Sequence, residues 1–410
     1  MWLVCLVVLA SSAVGDPRLS DSLNCRLVGS CYTPGLPLGV DVRGSYAYVA
    51  DAGCGLRIID VSDPRNPTTA GYYNIPDVSH AVAVGMNYAY VAAGSAGLHI
   101  VDVTDPRNPI HVGYYDTPGE AKGVCLAGNY HACVADGNAG LRIIDISDKQ
   151  HPVEVGHCSI PGGAEGVYVA GYAYVAGHWS GLRLVDISNR RSPIEVGHTD
   201  THRALDVFVN WETAYVADDL NGLRIIDASD PRNPVEVGHC ATPDAASGVM
   251  LNVAGSLAYV AAGGAGLRVV DVTDPARSHE VGHYRWAGYA TDVDVVWDYA
   301  YVADRDYGLQ IIEFVGGGVG EARMPQDLWG GPSRATVVRD ALFLLASGAE
   351  RETPAALHDI TGRRLLCLKR GSNDVSQLKP GVYFIAERPV GGNQQPAPSA
   401  SYCRKVILVR

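Results

Sequence analysis

One six-residue block recurs through most of this chain at nearly constant spacing. It reads Gly-Leu-Arg-Ile-Ile-Asp at residues 55–60 and returns six times with small changes, so the 410-residue sequence contains seven copies. Successive copies begin 42, 43, 41, 41, 44 and 42 residues apart, at Gly55, Gly97, Gly140, Gly181, Gly222, Gly266 and Gly308. A period of this length indicates a fold built from repeated units that bury their apolar faces against one another.

Each copy is composed of strand-forming segments. In the second copy, runs rich in Val, Ile and Tyr predict strands near residues 80–85, 88–92, 97–103 and 109–115, with glycine or proline in the turns between them. Four strands in about 42 residues match one blade of a β-propeller, whereas solenoids need a shorter repeat or a helical period. The sequence therefore predicts an all-β fold: a seven-bladed β-propeller of four-stranded antiparallel blades.

The two ends of the repeat region predict how the ring closes. The seventh copy enters Gly316-Gly-Gly318 after its third strand, so its fourth strand is missing there. The N-terminal segment 26–35 resembles the fourth-strand block 110–119 of the second copy. We therefore expect an N-terminal strand to complete the last blade, which removes the open edges that a linear stack would expose.

The N-terminal residues predict a secreted protein. Residues 1–15 form a short apolar run that ends in small residues, which is typical of a cleaved signal peptide, and no later run is long enough to span a bilayer. The net charge of −12 leaves no basic surface to bind phosphates, so nucleic acid is not an expected partner. The predicted domains are the signal peptide 1–15, the propeller 24–315, a Gly/Pro-rich linker 316–332 and a C-terminal β-domain 333–410.

The cysteines do not define a disulfide framework. Nine of the ten follow the predicted signal peptide, and an odd number cannot all pair within one chain. Cys125 with Cys133 and Cys367 with Cys403 are the candidate pairs. Three others occupy the same position in three different repeats and are not expected to pair with one another: Cys31, Cys158 and Cys240.

The repeat, with its Leu-His-Ile-Val-Asp core at residues 98–102, resembles the LVIVD repeat family of bacterial secreted proteins. The resemblance covers residues 24–315. It implies a β-propeller on an extracellular or surface protein and supplies no catalytic residues.

The C-terminal region resembles the sorting domain of type IX secretion substrates, a small β-sandwich. Three blocks carry this resemblance, at residues 356–365, 378–385 and 404–410, although an insert at 389–401 and His358 depart from the usual pattern. It implies the type IX secretion machinery as a partner, and a location outside the cell or on the outer-membrane surface of a Gram-negative-type bacterium. An accessory β-sandwich without a sorting role is the alternative, because Gly362 and Pro380-Gly381 are also ordinary hairpin residues.

The candidate site lies at one mouth of the propeller channel. Loops that enter each first strand, and loops between second and third strands, share that face in a propeller, and residues that differ between copies there are the informative ones. The predicted ligand-binding residues are His80, Glu120, Lys122, Glu165, His178, Trp179, His202, Arg203, Asp206, Asp218, Asp292 and Asp304. A mixed-charge ring with an exposed tryptophan is suited to a peptide, a glycan or a cation, and we predict a protein or carbohydrate ligand.

The sequence contains no recognised motif for catalysis or for cofactor binding. There is no Gly-x-Ser-x-Gly, phosphate loop or His-Glu-x-x-His pattern, and four Glu-Val-Gly-His blocks lie a blade width apart, too far to share one zinc ion. We therefore predict a non-catalytic scaffold with no cofactor and no metal. Two alternatives stay open: a structural envelope protein, or a hydrolase or lyase whose acid and base come from Glu120, Glu165, His80 or His202.

Overall fold

A computed structural model of the chain describes residues 21–316 and seven strand segments between residues 336 and 408. The chain divides into two compact units, Met1–Gly318 and Val319–Arg410. The predicted signal peptide, and nearly all of the predicted linker, lie outside the described residues. Among the residues that are described, no helix has the length and apolar character needed to cross a membrane.

Seven antiparallel sheets make up the first unit: five consist of four consecutive strands each, and the last two each include one strand from the start of the chain. The first two strands of the chain are β1 (Asp21–Leu23) and β2 (Cys25–Cys31). Blades 1 to 3 contain β3 (Gly39–Arg43), β4 (Tyr46–Ala50), β5 (Leu56–Asp60) and β6 (Thr68–Tyr73); β7 (Ala81–Gly85), β8 (Tyr88–Ala92), β9 (Leu98–Asp102) and β10 (Ile110–Tyr115); and β11 (Gly123–Leu126), β12 (His131–Ala135), β13 (Leu141–Asp145) and β14 (Val153–Cys158).

The remaining blades repeat this arrangement. Blades 4 and 5 contain β15 (Gly166–Ala170), β16 (Tyr172–Ala176), β17 (Leu182–Asp186) and β18 (Ile194–Thr199); and β19 (Asp206–Asn210), β20 (Thr213–Ala217), β21 (Leu223–Asp227) and β22 (Val235–Cys240). Blades 6 and 7 contain β23 (Gly248–Leu251), β24 (Leu257–Ala261), β25 (Leu267–Asp271) and β26 (His279–Arg285); and β27 (Ala290–Val296), β28 (Tyr299–Asp304) and β29 (Gly308–Phe314). A short 3-10 turn, Pro275–Arg277, precedes β26.

The first strand of every blade lies innermost, and these strands form a closed ring. Each contacts the first strands of both neighbouring blades, and the ring closes between β27 and β3. The predicted seven-bladed, all-β propeller is confirmed.

The N-terminal closure is also confirmed, and the structure adds a strand that the sequence did not predict. Strand β2 pairs antiparallel with β29, with Cys25 opposite Phe314 and Cys31 opposite Leu309. Strand β1 pairs with β26 of blade 6, which therefore has five strands. Between the two strands, the Asn24 side chain donates a hydrogen bond to the Val281 carbonyl at 2.8 Å. The N-terminal segment thus ties blades 6 and 7 together.

The repeated apolar block is buried on both faces of its blade. Leu56 and Ile58 of blade 1 pack against Val82 and Val91 of blade 2. Ile59 of the same strand packs in the opposite direction, against residues of blade 7 such as Ile311. Because successive side chains of a strand point to opposite faces, a strand between two neighbouring blades needs a continuous apolar run rather than an alternating one.

The C-terminal unit is described only as strands. Its five-stranded sheet has the order β30 (Thr336–Val338), β36 (Tyr402–Leu408), β35 (Gly381–Glu387), β32 (Ala355–His358) and β33 (Arg364–Leu368), and a separate pair joins β31 (Ala341–Leu344) to β34 (Gly371–Asp374). The sequence blocks that resemble a sorting domain overlap β32, β35 and β36. The β-sandwich and its sorting role stay predictions.

Seven cysteines of the described propeller are free thiols. Cys125 and Cys133 are directly opposite each other on β11 and β12, as their positions on consecutive strands predicted, but they are not bonded. Burial raises the pKa of Cys125 to about 11 and that of Cys133 to about 12, so both are protonated at neutral pH.

Four aspartates on inner strands hold neighbouring blades together along the channel. The backbone N–H of Val40 donates to Asp292 at 2.9 Å, and that of Val42 donates to Asp294 at 2.7 Å, both across the seam between blades 7 and 1. The same bond links Val84 to Asp41 at 2.7 Å and Val249 to Asp206 at 3.0 Å. The channel edge of an inner strand has no further strand to pair with, so these carboxylates satisfy amide groups that would otherwise lack a protein partner.

The ionised form of these carboxylates is electrostatically destabilised in the folded protein. Burial raises the pKa of Asp41 and of Asp292 to about 7, with the charges of Asp294 and Asp206 as further causes, respectively. Burial also raises the pKa values of Asp206 and Asp294. The Arg43 guanidinium opposes the rise at Asp41 and Asp294. The channel therefore disfavours full ionisation of the four groups.

We predict that the channel aspartates destabilise the propeller increasingly as pH rises from about 4 to 7. An unfolded aspartate has a pKa near 3.9, so between that value and about 7 Asp41 and Asp292 each bind more protons in the folded protein than in the unfolded chain, and their contribution to the free energy of unfolding falls with rising pH. Asp292→Asn removes one charge and keeps an acceptor for Val40. Relative to the wild type, the variant should gain free energy of unfolding increasingly across this pH range, by about 1–3 kcal/mol at pH 8. Denaturant unfolding at pH 5, 6, 7 and 8 measures the effect.

The matched control is Asp63→Asn, because Asp63 is an exposed turn residue whose bonds from Asn66 and Arg65 lower its pKa. Its titration lies below this pH range, so the slope should equal that of the wild type. If the unfolding free energies of Asp292→Asn and the wild type depend on pH in parallel, the fold does not raise the pKa of Asp292 and the account of the channel carboxylates is wrong.

Candidate functional site

Backbone hydrogen bonds between adjacent blades join the loops at the mouth where the inner strands begin. His178, in the turn between β16 and β17, exchanges two bonds with Ala204, which precedes β19, at 3.1 and 3.0 Å. Equivalent bridges connect Ala52 to Ser79, Gly94 to Ala121, Gly137 to Ala164, Asp219 to Ala246 and Gly263 to Ala290. The two predicted sets of loops therefore share one face, and their backbones are held in register.

Asp218 and Asp304, which the sequence placed at the mouth, are buried beneath it. Asp218 accepts hydrogen bonds from the backbone N–H groups of His202 at 3.0 Å and Arg203 at 2.7 Å. Asp304 accepts bonds from the indole of Trp286 at 2.6 Å and from the backbone N–H of Tyr307 at 2.7 Å. Their carboxylates fix the loop backbone and do not face solvent, since a buried carboxylate needs several donors.

Asp206 and Asp292 lie on the inner strands β19 and β27, one level further into the channel. Their carboxylates form the seam bonds to Val249 and Val40. Both were predicted at the mouth because they lie close to the positions ahead of a first strand. The structure places them among the groups that hold the ring together.

Four of the predicted residues form a charged sector on the side of blades 2 to 4. Lys122 Nζ and Glu165 Oε1 form an ion pair at 2.7 Å. Burial lowers the pKa of His80, and the Lys122 charge lowers it further, while Glu165 and Glu120 act in the opposite direction. His80 is therefore close enough to all three charges to respond to them.

The other four residues surround an exposed tryptophan at blades 4 and 5. Trp179 is 61% exposed. The rings of His178 and His202 meet it edge-on, with centroids 4.9 and 5.8 Å away, and the Arg203 guanidinium lies 5.2 Å from its ring centroid. The indole is thus held by neighbouring side chains while most of its surface faces solvent.

Arg203 is itself fixed by two partners. Its Nε donates to Nε2 of His178 at 2.7 Å, and its Nη1 forms an ion pair with Asp219 at 3.2 Å. Burial lowers the pKa of His178, and Arg203 and Lys122 lower it further against the charge of Glu165. A neutral His178 can accept the bond from Arg203, so the geometry and the charge state agree. Because the charges of Lys122 and Glu165 act on the pKa of His178, the charged sector lies next to the residues around the tryptophan.

This arrangement is suited to binding. A fixed indole offers apolar area at little entropic cost, and the arginine, histidine and carboxylate groups around it provide directional hydrogen bonds. No group of three or more His, Cys, Asp or Glu side chains in the described residues is placed to hold a metal ion.

The opposite mouth has an unusual feature that was not predicted from the sequence. The turn between first and second strands contains a residue with positive φ in every blade, and in four blades it is a glycine: Gly44, Gly128, Gly171 and Gly255. Three blades have Met86, Trp211 and Trp297 there, with φ of 52°, 57° and 59°. Bulky residues are strained in this conformation. Trp211 is 81% exposed, so burial of its side chain does not offset the cost of the strain. Alignment of the seven copies at this turn is the signal that would have revealed them.

Comparison with known proteins agrees with this architecture. A computationally designed protein, Ika8, has a crystal structure similar to this chain, with a TM-score of 0.52 at 8% identity over 70% of this chain and 99% of that chain; this likeness concerns the fold alone. The search of curated proteins gave no match. The model of the LVIVD repeat matches residues 35–75, 78–117, 118–159, 161–201, 203–242, 247–285 and 287–313, more than half of the sequence. The chain belongs to the LVIVD repeat family.

Proposed function

We propose that this protein is a non-catalytic scaffold that binds a protein or carbohydrate ligand at the mouth formed by His80, Glu120, Lys122, Glu165, His178, Trp179, His202 and Arg203. The observation that supports it most directly is the exposed indole of Trp179 within a fixed ring of polar side chains. Exposure alone does not mark a site, but the rings of His178 and His202 and the guanidinium of Arg203 hold this indole in place, as expected of an aromatic anchor that a ligand covers.

The chemistry of this sector fits recognition. Tryptophan and arginine contribute most of the binding free energy at many interfaces, and Trp179 and Arg203 stand in contact here. Arg203 is held by His178 and Asp219 before any ligand arrives, which lowers the entropic cost of binding. The Lys122–Glu165 pair and His80 extend the polar surface towards blade 2.

We predict that a ligand found on glycan and peptide arrays will depend on Trp179. Trp179→Ala should weaken binding at least tenfold, because it removes the central apolar contact, and Arg203→Ala should weaken it by a similar factor. Titration of the purified full chain against array hits, followed by calorimetry, measures both effects.

Trp211→Ala is the matched control, since Trp211 is an exposed tryptophan on the opposite face and should leave affinity unchanged. Equal loss in the two tryptophan variants would move the site elsewhere. Release of a chemically altered product would favour the hydrolase or lyase with Glu120, Glu165, His80 or His202 as acid and base. A chain that binds no array member would favour the structural envelope role.

We also infer that the protein is exported to the extracellular space or the outer-membrane surface. The signal-like segment 1–15 and the sorting-domain resemblance of 333–410 support this inference. Deletion of residues 333–410 should leave a folded propeller in the periplasm, because the type IX machinery would no longer recognise it. Fractionation of the host cells tests this, with the full chain as control, and unchanged surface display of the truncated protein would contradict it.

A further inference from the structure

Four blades contain the same polar triad on their outer strands. In blade 3, Arg142 Nη1 lies 3.3 Å from Glu154 Oε1, and His157 Nδ1 lies 2.8 Å from the same oxygen. The equivalent triads are Arg183, Glu195 and His198; Arg224, Glu236 and His239; and Arg268, Glu280 and His283. A register shift in each fourth strand brings Glu and His, three residues apart, to the same face.

Blade 2 replaces both members of the ion pair with histidine. His99 occupies the arginine position on β9, His111 the glutamate position on β10, and Tyr114 the histidine position. His99 Nδ1 and His111 Nε2 are 3.2 Å apart. A single substitution would leave an unpaired charge, whereas the double replacement leaves two imidazole nitrogens facing each other.

The two rings are held in place on several sides. His99 is 6% exposed, and the backbone of Ala96 accepts a hydrogen bond from it. Tyr114 stacks on His99 with centroids 5.6 Å apart, and Tyr73 of blade 1 stacks on His111 at the same distance. Since the hydrogen bond to Ala96 occupies one nitrogen of His99, Nδ1 is left as the acceptor that faces His111.

We propose that His99 and His111 bind a divalent transition-metal ion of the zinc class, with water or a small exogenous ligand completing its coordination. Zinc–nitrogen bonds of about 2.0–2.1 Å in a tetrahedral site separate two ligand nitrogens by about 3.3 Å, close to the distance between these two atoms. The hydrogen bond from His99 to a backbone carbonyl is the orientation that metal-bound histidines commonly have.

The charge state of the pair supports this assignment. Burial lowers the pKa of His99 to about 4, with His111 as a second cause, and burial also lowers the pKa of His111. Both imidazoles are therefore neutral at pH 7, which is the form that coordinates a metal. The Arg–Glu pairs of blades 3 to 6 have no such pair of neutral nitrogens.

Zinc binding to the purified full chain tests the proposal. In equilibrium dialysis at pH 7, the wild type should bind one Zn²⁺ equivalent that His111→Gln weakens at least tenfold. The double variant His99→Arg with His111→Glu rebuilds the pair found in blades 3 to 6, so it should fold normally, as thermal unfolding will report, and should lose the same equivalent. His239→Gln, which removes an exposed histidine of a neighbouring triad, should bind zinc like the wild type.

Electron paramagnetic resonance with Cu²⁺ as the probe gives a second readout. The wild type should show hyperfine coupling to two imidazole nitrogens, and the double variant should lose that signal. Retention of the full zinc stoichiometry and affinity in the double variant would overturn the proposal, as would a wild type that binds no zinc. Either result would leave the pair as a neutral hydrogen bond that joins two strands.

Discussion

The pairing of β2 with β29 is the interaction on which the rest of the structure depends. Six blades are formed by strands close in sequence, but the seventh is complete only when a segment from the start of the chain pairs with the last strand of the repeat region. Without it, β29 would present an open edge, and blade 7 would lose the strand that covers its outer side. The adjacent strand β1 extends the same tie to blade 6.

Closure explains how the propeller presents the proposed binding surface. Each apolar block is buried between two neighbouring blades, so every blade needs a neighbour on both sides, and a ring provides one for all seven. The channel aspartates reinforce the seams at an electrostatic cost, while Asp218 and Asp304 hold the loops above them. Side chains at the mouth, above all Trp179 and Arg203, are therefore displayed by a rigid backbone and have no part in the core.

The architecture was predictable because it follows from a periodic sequence pattern and does not depend on individual side-chain contacts. Blade number followed from the recurrence of one block. Strand number followed from the strand-forming runs within each copy, and the closing role of residues 26–35 from their resemblance to residues 110–119. The extra strand β1 was not predictable, since Asp21–Leu23 is too short to carry a strand pattern. The residues of the site were only partly predictable for a different reason. The sequence around an aspartate near the end of a strand does not show whether its carboxylate faces solvent or accepts hydrogen bonds from buried amides.

Asp206, Asp218, Asp292 and Asp304 illustrate that ambiguity, and only hydrogen-bond geometry resolved it. The His99–His111 pair was missed because each histidine, read alone, is one substitution in a repeat; the inference needs the register of β9 and β10. Trp211 and Trp297 stand where four other copies have glycine, so the sequence carries their signal only when the seven copies are aligned at this turn.

Two N-terminal truncations test ring closure most directly. Thermal and denaturant unfolding should be compared for chains that begin after Asn24, which lack β1, and after Cys31, which lack β1 and β2. The account predicts cooperative unfolding with a modestly lower midpoint for the first, and loss of cooperative unfolding or a decrease of more than about 3 kcal/mol in unfolding free energy for the second, because a whole strand pairing and its buried contacts are removed. Equal stability of the two truncated chains would contradict it.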